Sequence, residues 1–381
     1  MKIERVKIIL ITVRADFGGG PYHVDILLKN LKDNYDFFVA APLNEPYGFQ
    51  WQQLLGEKKF FVLPFRSFNI VTFFKLVSFI KSNQITLVHS HGKGAGLYSR
   101  LLKLFLPGIK VIHTFHGLHI KQYNFLIRNI YILLERFLNI STDQFINVSF
   151  GEQEICLQNR LLKKNKSRVI YNSINFNELN FDSQTELRNS LALPLDKFII
   201  ISVLRLNFQK NLPLLINIAE KFKQNTDLLF LIIGDGELRD EIETNIREKK
   251  LDNINLLGYK VNVKEYLLAS NIYLSTSLWE GLPYSLIEAA FSGLPIVASN
   301  VTGNNEIVND SENGFLFPLD NPDIAVNKIL ELKKSPELLK NMGRNSKKLA
   351  EKKFQINSMI DQIKNIYSGL SSSTFNSSIR N

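Results

Sequence analysis

The chain has 381 residues, 45% of them hydrophobic and 22% charged, which is globular composition at a length that favours two domains over one core. A formal net charge of +10 predicts attraction to something anionic: nucleic acid, a membrane leaflet or phosphorylated small molecules. One cysteine, Cys156, excludes an internal disulfide framework and reads as a buried apolar filler in a reducing compartment, and the lack of any run of about 18 apolar residues free of charge argues against a transmembrane helix.

The N-terminus, MKIERVKIILITV, carries a short β-branched run without a small-residue cleavage site, so it predicts a buried parallel strand over 6–13 rather than a secretion signal. Further strand signals fall at 37–40, 86–89, 111–115, 198–203, 228–233, 254–257, 272–276 and 295–299, with helical patterning between them. Alternation of this kind predicts parallel sheets covered on both faces, hence an α/β fold. The stretch 169–197, with Asn172, Asn175, Asn177, Asn180 and Pro194, reads as a connector. The expected organisation is a first domain over 1–175, a second over 176–366 whose C-terminal helix crosses back to the first, and a disordered Ser/Asn-rich tail over 367–381.

In open α/β sheets ligands sit at the carboxyl ends of strands, so the loops there carry the candidate chemistry. After the first strand, Gly18, Gly19 and Gly20 form a strand-to-helix turn where backbone can approach a phosphate or sugar closely; a tight turn without ligand is the alternative. The third strand signal ends in His89-Ser90-His91-Gly92-Lys93-Gly94-Ala95-Gly96, and the fourth in His113-Thr114-Phe115-His116-Gly117. Zinc ligation would need carboxylate or thiolate partners or His-Glu-x-x-His spacing, which are missing, so no metal is expected; histidine also serves acid/base work and sugar hydrogen bonds, or packing alone for His89 and His113.

The second half opens with Arg205 and Lys210 just past a strand, two cations suited to a diphosphate, or else solvated surface charge. Gly234-Asp235-Gly236 makes a turn whose glycines admit a base or ribose near the backbone, and Tyr259 and Val261 close the next strand at the level of a base. Glu280 precedes a turn, and Gly281, Leu282, Pro283, Tyr284 and Ser285 offer backbone amides at a helix start. Glu288 follows eight positions after Glu280; with Ser285 it also fits the Ser-x-x-Glu capping box, which would explain it without a ligand.

Through these residues the chain resembles the family 4 glycosyltransferases, retaining enzymes of the GT-B architecture, in which two Rossmann-like doubly wound domains face each other across a cleft. The likeness spans nearly the whole chain and is densest over 202–306, where it rests on the Glu-x7-Glu pair Glu280/Glu288, Arg205 with Lys210, the Gly234-Asp235-Gly236 turn and Gly293-Leu294-Pro295-Ile296-Val297-Ala298. The resemblance implies that Arg205 and Lys210 hold the donor diphosphate, Glu280 binds donor-sugar hydroxyls, Glu288 binds the ribose and His116 lies near the donor sugar. It further implies that Gly18 to Gly20 close on the phosphates, with His91, Lys93 and His113 on the acceptor side. Leu204 stands where many relatives have glycine, which bears on the conformation of the loop before Lys210.

The expected substrate is a UDP-sugar, with no metal and no other cofactor; GDP stays open as the nucleotide. The segments around His91 and His116 resemble those of bacterial surface-polysaccharide enzymes, which implies a polyprenyl-diphosphate-linked saccharide as acceptor. Aromatic and aliphatic residues mixed with cations over 71–81, 101–106 and 121–136 (Tyr123, Phe125, Leu126, Ile130 and Tyr131 among them) suit a cytoplasmic protein held peripherally on an anionic membrane surface, or equally core helices. No recognised module supports nucleic-acid binding. Two rivals remain open: a GT-B-like sugar-nucleotide epimerase, which would need paired carboxylates that the N-terminal loops lack, and a non-catalytic nucleotide-sugar sensor.

Overall fold

The computed structural model describes residues 5–118, 120, 124–176 and 183–378. Lys121, Tyr123, Asn177, Asn180 and the last three residues, which the sequence reading invoked, lie outside the described residues. The chain divides into two compact units, one of Met1–Asn172 with Ile356–Asn381, the other of Ser173–Gln355.

The first unit alternates β1 (Lys7–Ile11), α1 (Gly19–Leu31), β2 (Asp36–Ala41), α2 (Tyr47–Leu55), β3 (Phe60–Val62), α3 (Ile70–Ser82), β4 (Leu87–His91), α4 (Lys93–Phe105), β5 (Lys110–Thr114), α5 (Phe125–Leu138), β6 (Gln144–Asn147), α6 (Phe150–Gln158) and β7 (Ser167–Val169). All pairings are parallel, in the order β3-β2-β1-β4-β5-β6-β7. The central strands β1, β4 and β5 are buried along nearly their whole length because helices cover both faces. Asn69, Asn124 and Ser149 accept from the third amide beyond them and so cap α3, α5 and α6. Cys156 lies at full burial beside Phe115 and Phe145, and that burial pushes its thiol up, as a structural filler requires.

The second unit runs α7 (Gln184–Ser190), β8 (Phe198–Val203), α8 (Leu212–Glu220), β9 (Leu228–Ile233), α9 (Arg239–Glu248), β10 (Ile254–Gly258), α10 (Val263–Ala269), β11 (Ile272–Ser275), α11 (Tyr284–Phe291), β12 (Ile296–Ser299), α12 (Asn304–Ile307), β13 (Gly314–Phe317), α13 (Asp323–Lys334) and α14 (Pro336–Lys353). Its sheet is also wholly parallel, ordered β10-β9-β8-β11-β12-β13. Each unit is therefore a doubly wound, Rossmann-like α/β fold whose strand order reverses once, between β1 and β4 and between β8 and β11.

Helix α15 (Ile356–Ser378) groups with the first unit, the side to which the C-terminal helix was expected to cross. Its Ile363 and Tyr367 are fully buried, and the Tyr367 hydroxyl lies 2.7 Å from His89 Nδ1, which ties the helix to β4. The backbone of the same element is helical to Ser378. Strands β3, β6, β7 and β13 were not foreseen; they have three or four residues, and three of them are sheet edges, too short for a periodic signal. Among the described residues no helix is long and apolar enough to cross a membrane.

Arg100 of α4 and Glu135 of α5 form a fully enclosed ion pair, with N–O distances of 2.6 and 3.1 Å, and the Arg100 Nε donates to the Gly96 carbonyl at 2.7 Å. Removing one partner strands the other charge in the core, so Glu135→Ala should lower the unfolding free energy by about 3–5 kcal/mol in equilibrium urea titration. A loss below about 1 kcal/mol would show that water reaches Arg100 and that the pair is not enclosed.

Candidate active site

In the second unit the reversal point is built by two exit loops. Past β8, the segment 204–206 continues beside the exit of β9, with the Leu204 amide donating to Ile233 O and the Leu206 amide to Asp235 O. A Cβ on Gly234 would lie 1.8 Å from the Leu204 carbonyl oxygen, and one on Gly236 would lie 2.4 Å from that of Leu206. The Gly-Asp-Gly turn is thus demanded by backbone against backbone, where the sequence reading had left that space to a base or ribose. Leu204 packs on the core and its φ is not positive, so the loop forms without a glycine at this position.

Lys210 ends a 3-10 turn, and Asn211 then adopts the left-handed conformation (φ 50°) before α8. This loop is stapled to the exit of β11: the Leu278 amide donates to Gln209 O at 2.8 Å and the Thr276 hydroxyl to Lys210 O at 2.9 Å. Glu280 is the group on which the two loops converge. Its carboxylate accepts from the Lys210 ammonium, from Ser277 Oγ at 2.7 Å and from Gln209 Nε2 at 3.2 Å, and it is only 7% exposed. A third loop braces it: Gly303 (φ 87°) leaves no room for a Cβ, which would lie 2.5 Å from Gly281 O and 3.2 Å from the Glu280 Cβ. Gln209, Ser277 and Gly303 had no assigned role in the sequence reading; the signal available was their place in the same exit loops.

Arg205 lies at the same end, 3.2 Å from Glu237, so both predicted cations already hold a carboxylate. Gly281, Leu282, Pro283 and Tyr284 are buried; Tyr259 is half exposed and Val261 almost fully so. Helix α11 starts at Tyr284 with Pro283 as its N-cap and no side-chain cap, which makes Ser285 its second residue and Glu288 its fifth. The capping box therefore does not form, and Ser285 instead hydrogen-bonds the buried Tyr273 hydroxyl. Burial pushes the Glu288 carboxyl up to about 7.

In the first unit α1 and α4 leave the reversal point behind Gly18 and Gly92, again without side-chain caps. The β1 exit loop is held by Arg14, which donates to Asp16 at 2.7 Å and to Phe17 O at 2.9 Å. A Cβ on Gly20 would touch the His116 ring at 3.7 Å. His116 itself takes a left-handed φ of 59°, a cost to a bulky residue that fixes where its ring points. His91 Nδ1 and His116 Nε2 are 3.0 Å apart, and His23, which the sequence reading did not single out, packs on both rings. Burial, then repulsion among neighbouring rings, holds His91 and His116 well below the usual histidine range, and burial lowers His23 to about 4, so all three are neutral near pH 7.

His23, His91 and His116 each bring a ring nitrogen within 4.8 Å of the others, a donor set of the kind that ligates metal, although the His91–His116 hydrogen bond gives two of them a partner already. His113 is placed apart, bonded to Ser90 at 2.9 Å and walled by Gly96 and Arg100. Lys93 rests its ammonium on the Tyr131 ring, 4.7 Å from its centre.

A carboxyl whose pKa in the fold lies above its unfolded value weakens the fold as pH rises from about 4.5 through about 7. Glu288→Gln should therefore be more stable than the parent near pH 8, by on the order of 2 kcal/mol, with the difference fading as pH falls below about 4.5 in thermal or urea unfolding. A difference that does not change with pH would contradict the raised carboxyl.

Residues 17–178 match the family description "Glycosyltransferase Family 4", and 183–349 match "Glycosyl transferases group 1". The UDP-Gal:alpha-D-GlcNAc-diphosphoundecaprenol alpha-1,3-galactosyltransferase of Escherichia coli is 29% identical over 310 residues, 78% of each chain. The O-antigen biosynthesis glycosyltransferase WbnH of Escherichia coli is 29% identical over 320 residues, 83% of this chain and 87% of that protein. In fold, the crystal structure of Anabaena Alr3699/HepE in complex with UDP and glucose superposes with a TM-score of 0.83 at 18% identity, over 96% of this chain and 100% of that one. With both units matched and the Glu280 and Glu288 loops in place, the chain belongs to the family 4 glycosyltransferases, with the two Rossmann-like units of the GT-B class.

Proposed function

We propose that this chain is a retaining, metal-independent hexosyltransferase that moves a hexose or N-acetylhexosamine from a UDP-sugar to a polyprenyl-diphosphate-linked saccharide, at the cytoplasmic face of the membrane, in surface-polysaccharide synthesis. The observation that carries the reading is the convergence of Lys210, Gln209 and Ser277 on one enclosed carboxylate, Glu280, at the reversal point where an α/β sheet takes its ligands. Support for the acceptor comes from the undecaprenol-diphosphate named for the Escherichia coli relative, and for the donor from the UDP of the structural neighbour.

In this account Arg205 and Lys210 turn from Glu237 and Glu280 to the diphosphate, whose charge grows as the bond from the sugar C1 to the phosphate oxygen breaks. The acceptor hydroxyl oxygen forms the new bond to C1 on the same face, and its proton passes to the departing phosphate oxygen. UDP and the extended saccharide leave. Glu280 accepts hydrogen bonds from the sugar hydroxyls and makes no covalent bond to the sugar. Glu288 binds the ribose, and His116 a sugar hydroxyl; a neutral imidazole can do so as donor or acceptor.

A panel of UDP-hexoses, UDP-N-acetylhexosamines and GDP-mannose, offered with a lipid-diphosphate sugar, tests this by nucleotide release and by the anomeric configuration of the product. Release should require acceptor, survive chelator, give retained configuration and fall at least about a hundredfold in Glu280→Ala and Lys210→Ala. Loss on chelation would overturn the metal independence, and nucleotide binding without release would favour the sensor.

A further inference from the structure

Helix α5 turns to solvent the face that a surface helix normally buries. Leu126, Ile130, Leu133 and Phe137 form one stripe at helical spacing and are 58–67% exposed, and Phe125 and Ile140 at its two ends reach 82% and 77%. The opposite face, with Ile132, Glu135 and Leu138, is the one packed inward. Phe74 of α3 and Phe105 of α4, both about half exposed and 5.5 Å apart, add a further apolar patch to the same unit.

Cations prevail around the stripe, and Asp143, the acid just beyond the end of α5, is paired with Lys103. Glu135 is the only acid of α5, and it is neutralised inside by Arg100, so the exposed face of the helix carries no carboxylate. Arg136 donates to the Asn159 carbonyl at 3.1 Å, and Lys166 donates to the Thr142 carbonyl at 2.7 Å, which hold the segment after α6 against the C-terminal end of α5. Between Glu154 and Glu178 the sequence carries Arg160, Lys163, Lys164, Lys166 and Arg168 and no acid. All five but Lys166 are exposed.

We propose that α5 and the 160–168 segment together are the surface by which this chain rests on an anionic bilayer. The aliphatic and aromatic stripe enters the acyl boundary, and the cations meet lipid phosphates. A second copy of the chain suits the stripe but not its rim, because a two-fold contact would set like cationic segments near one another. The inference rests on the reading of a lipid-linked acceptor for its purpose, while its grounds are exposure and charge alone.

Cosedimentation of the full chain with phosphatidylglycerol-containing and with pure phosphatidylcholine vesicles tests it, beside sedimentation equilibrium and turnover on a short-chain, water-soluble acceptor. The chain should pellet with anionic vesicles. Binding should fall at least about tenfold in Leu133→Glu/Phe137→Glu and in Lys163→Glu/Lys164→Glu, with turnover on the soluble acceptor unchanged as proof of fold. Equal binding by parent and variants, or no binding by the parent, would overturn it, as would a dimer that Leu133→Glu/Phe137→Glu dissolves without any vesicle binding. Vesicle binding without transfer to any acceptor would uphold the surface and sink the proposed function.

Discussion

Two adjacent parallel strands whose crossovers run to opposite sides of a sheet leave a gap between their exit loops, because the helices that follow move apart rather than across it. This chain contains that arrangement twice, at β1/β4 and at β8/β11. The glycine loop, His91 and His116 cluster at the first; Arg205, Lys210, Glu280 and Glu288 gather at the second. Each unit thus concentrates its unusual chemistry at the one place its topology leaves uncovered.

What fills the second gap is a network with few free choices. Glu280 is enclosed, and its carboxylate is met by the Lys210 ammonium and the Ser277 and Gln209 donors. Lys210 stays in reach because Thr276 and Leu278 staple its loop to that of Glu280. Glu288 is the reverse case: nothing in the helix start uses it, and its burial is a cost that a bound hydroxyl would offset.

The strands of both sheet centres were legible in the sequence as apolar runs between helical patterns, whereas β3, β6, β7 and β13, of three or four residues, did not stand out. Glu280 and Lys210 were legible as motif members, yet their mutual pairing was not, since 70 positions separate them. His23 was hidden for a similar reason: it sits one turn into α1, and only the fold brings it to His91 and His116. The glycines of the 234–236 turn show the converse, a correct motif whose necessity is explained by packing against Leu204 and Leu206. The exposure of α5 was left open by the sequence between a membrane surface and a core helix, because an amphipathic pattern gives a face and not the side it points to.

The β8/β11 gap, with Lys210 in it, is the proposed seat of the nucleotide diphosphate. Titration calorimetry of UDP into the full chain, the Lys210→Met variant and the His116→Asn variant measures this directly. The account predicts binding by the parent, a loss of at least about tenfold in Lys210→Met, and little change in His116→Asn. UDP binding that is indifferent to Lys210 would contradict it.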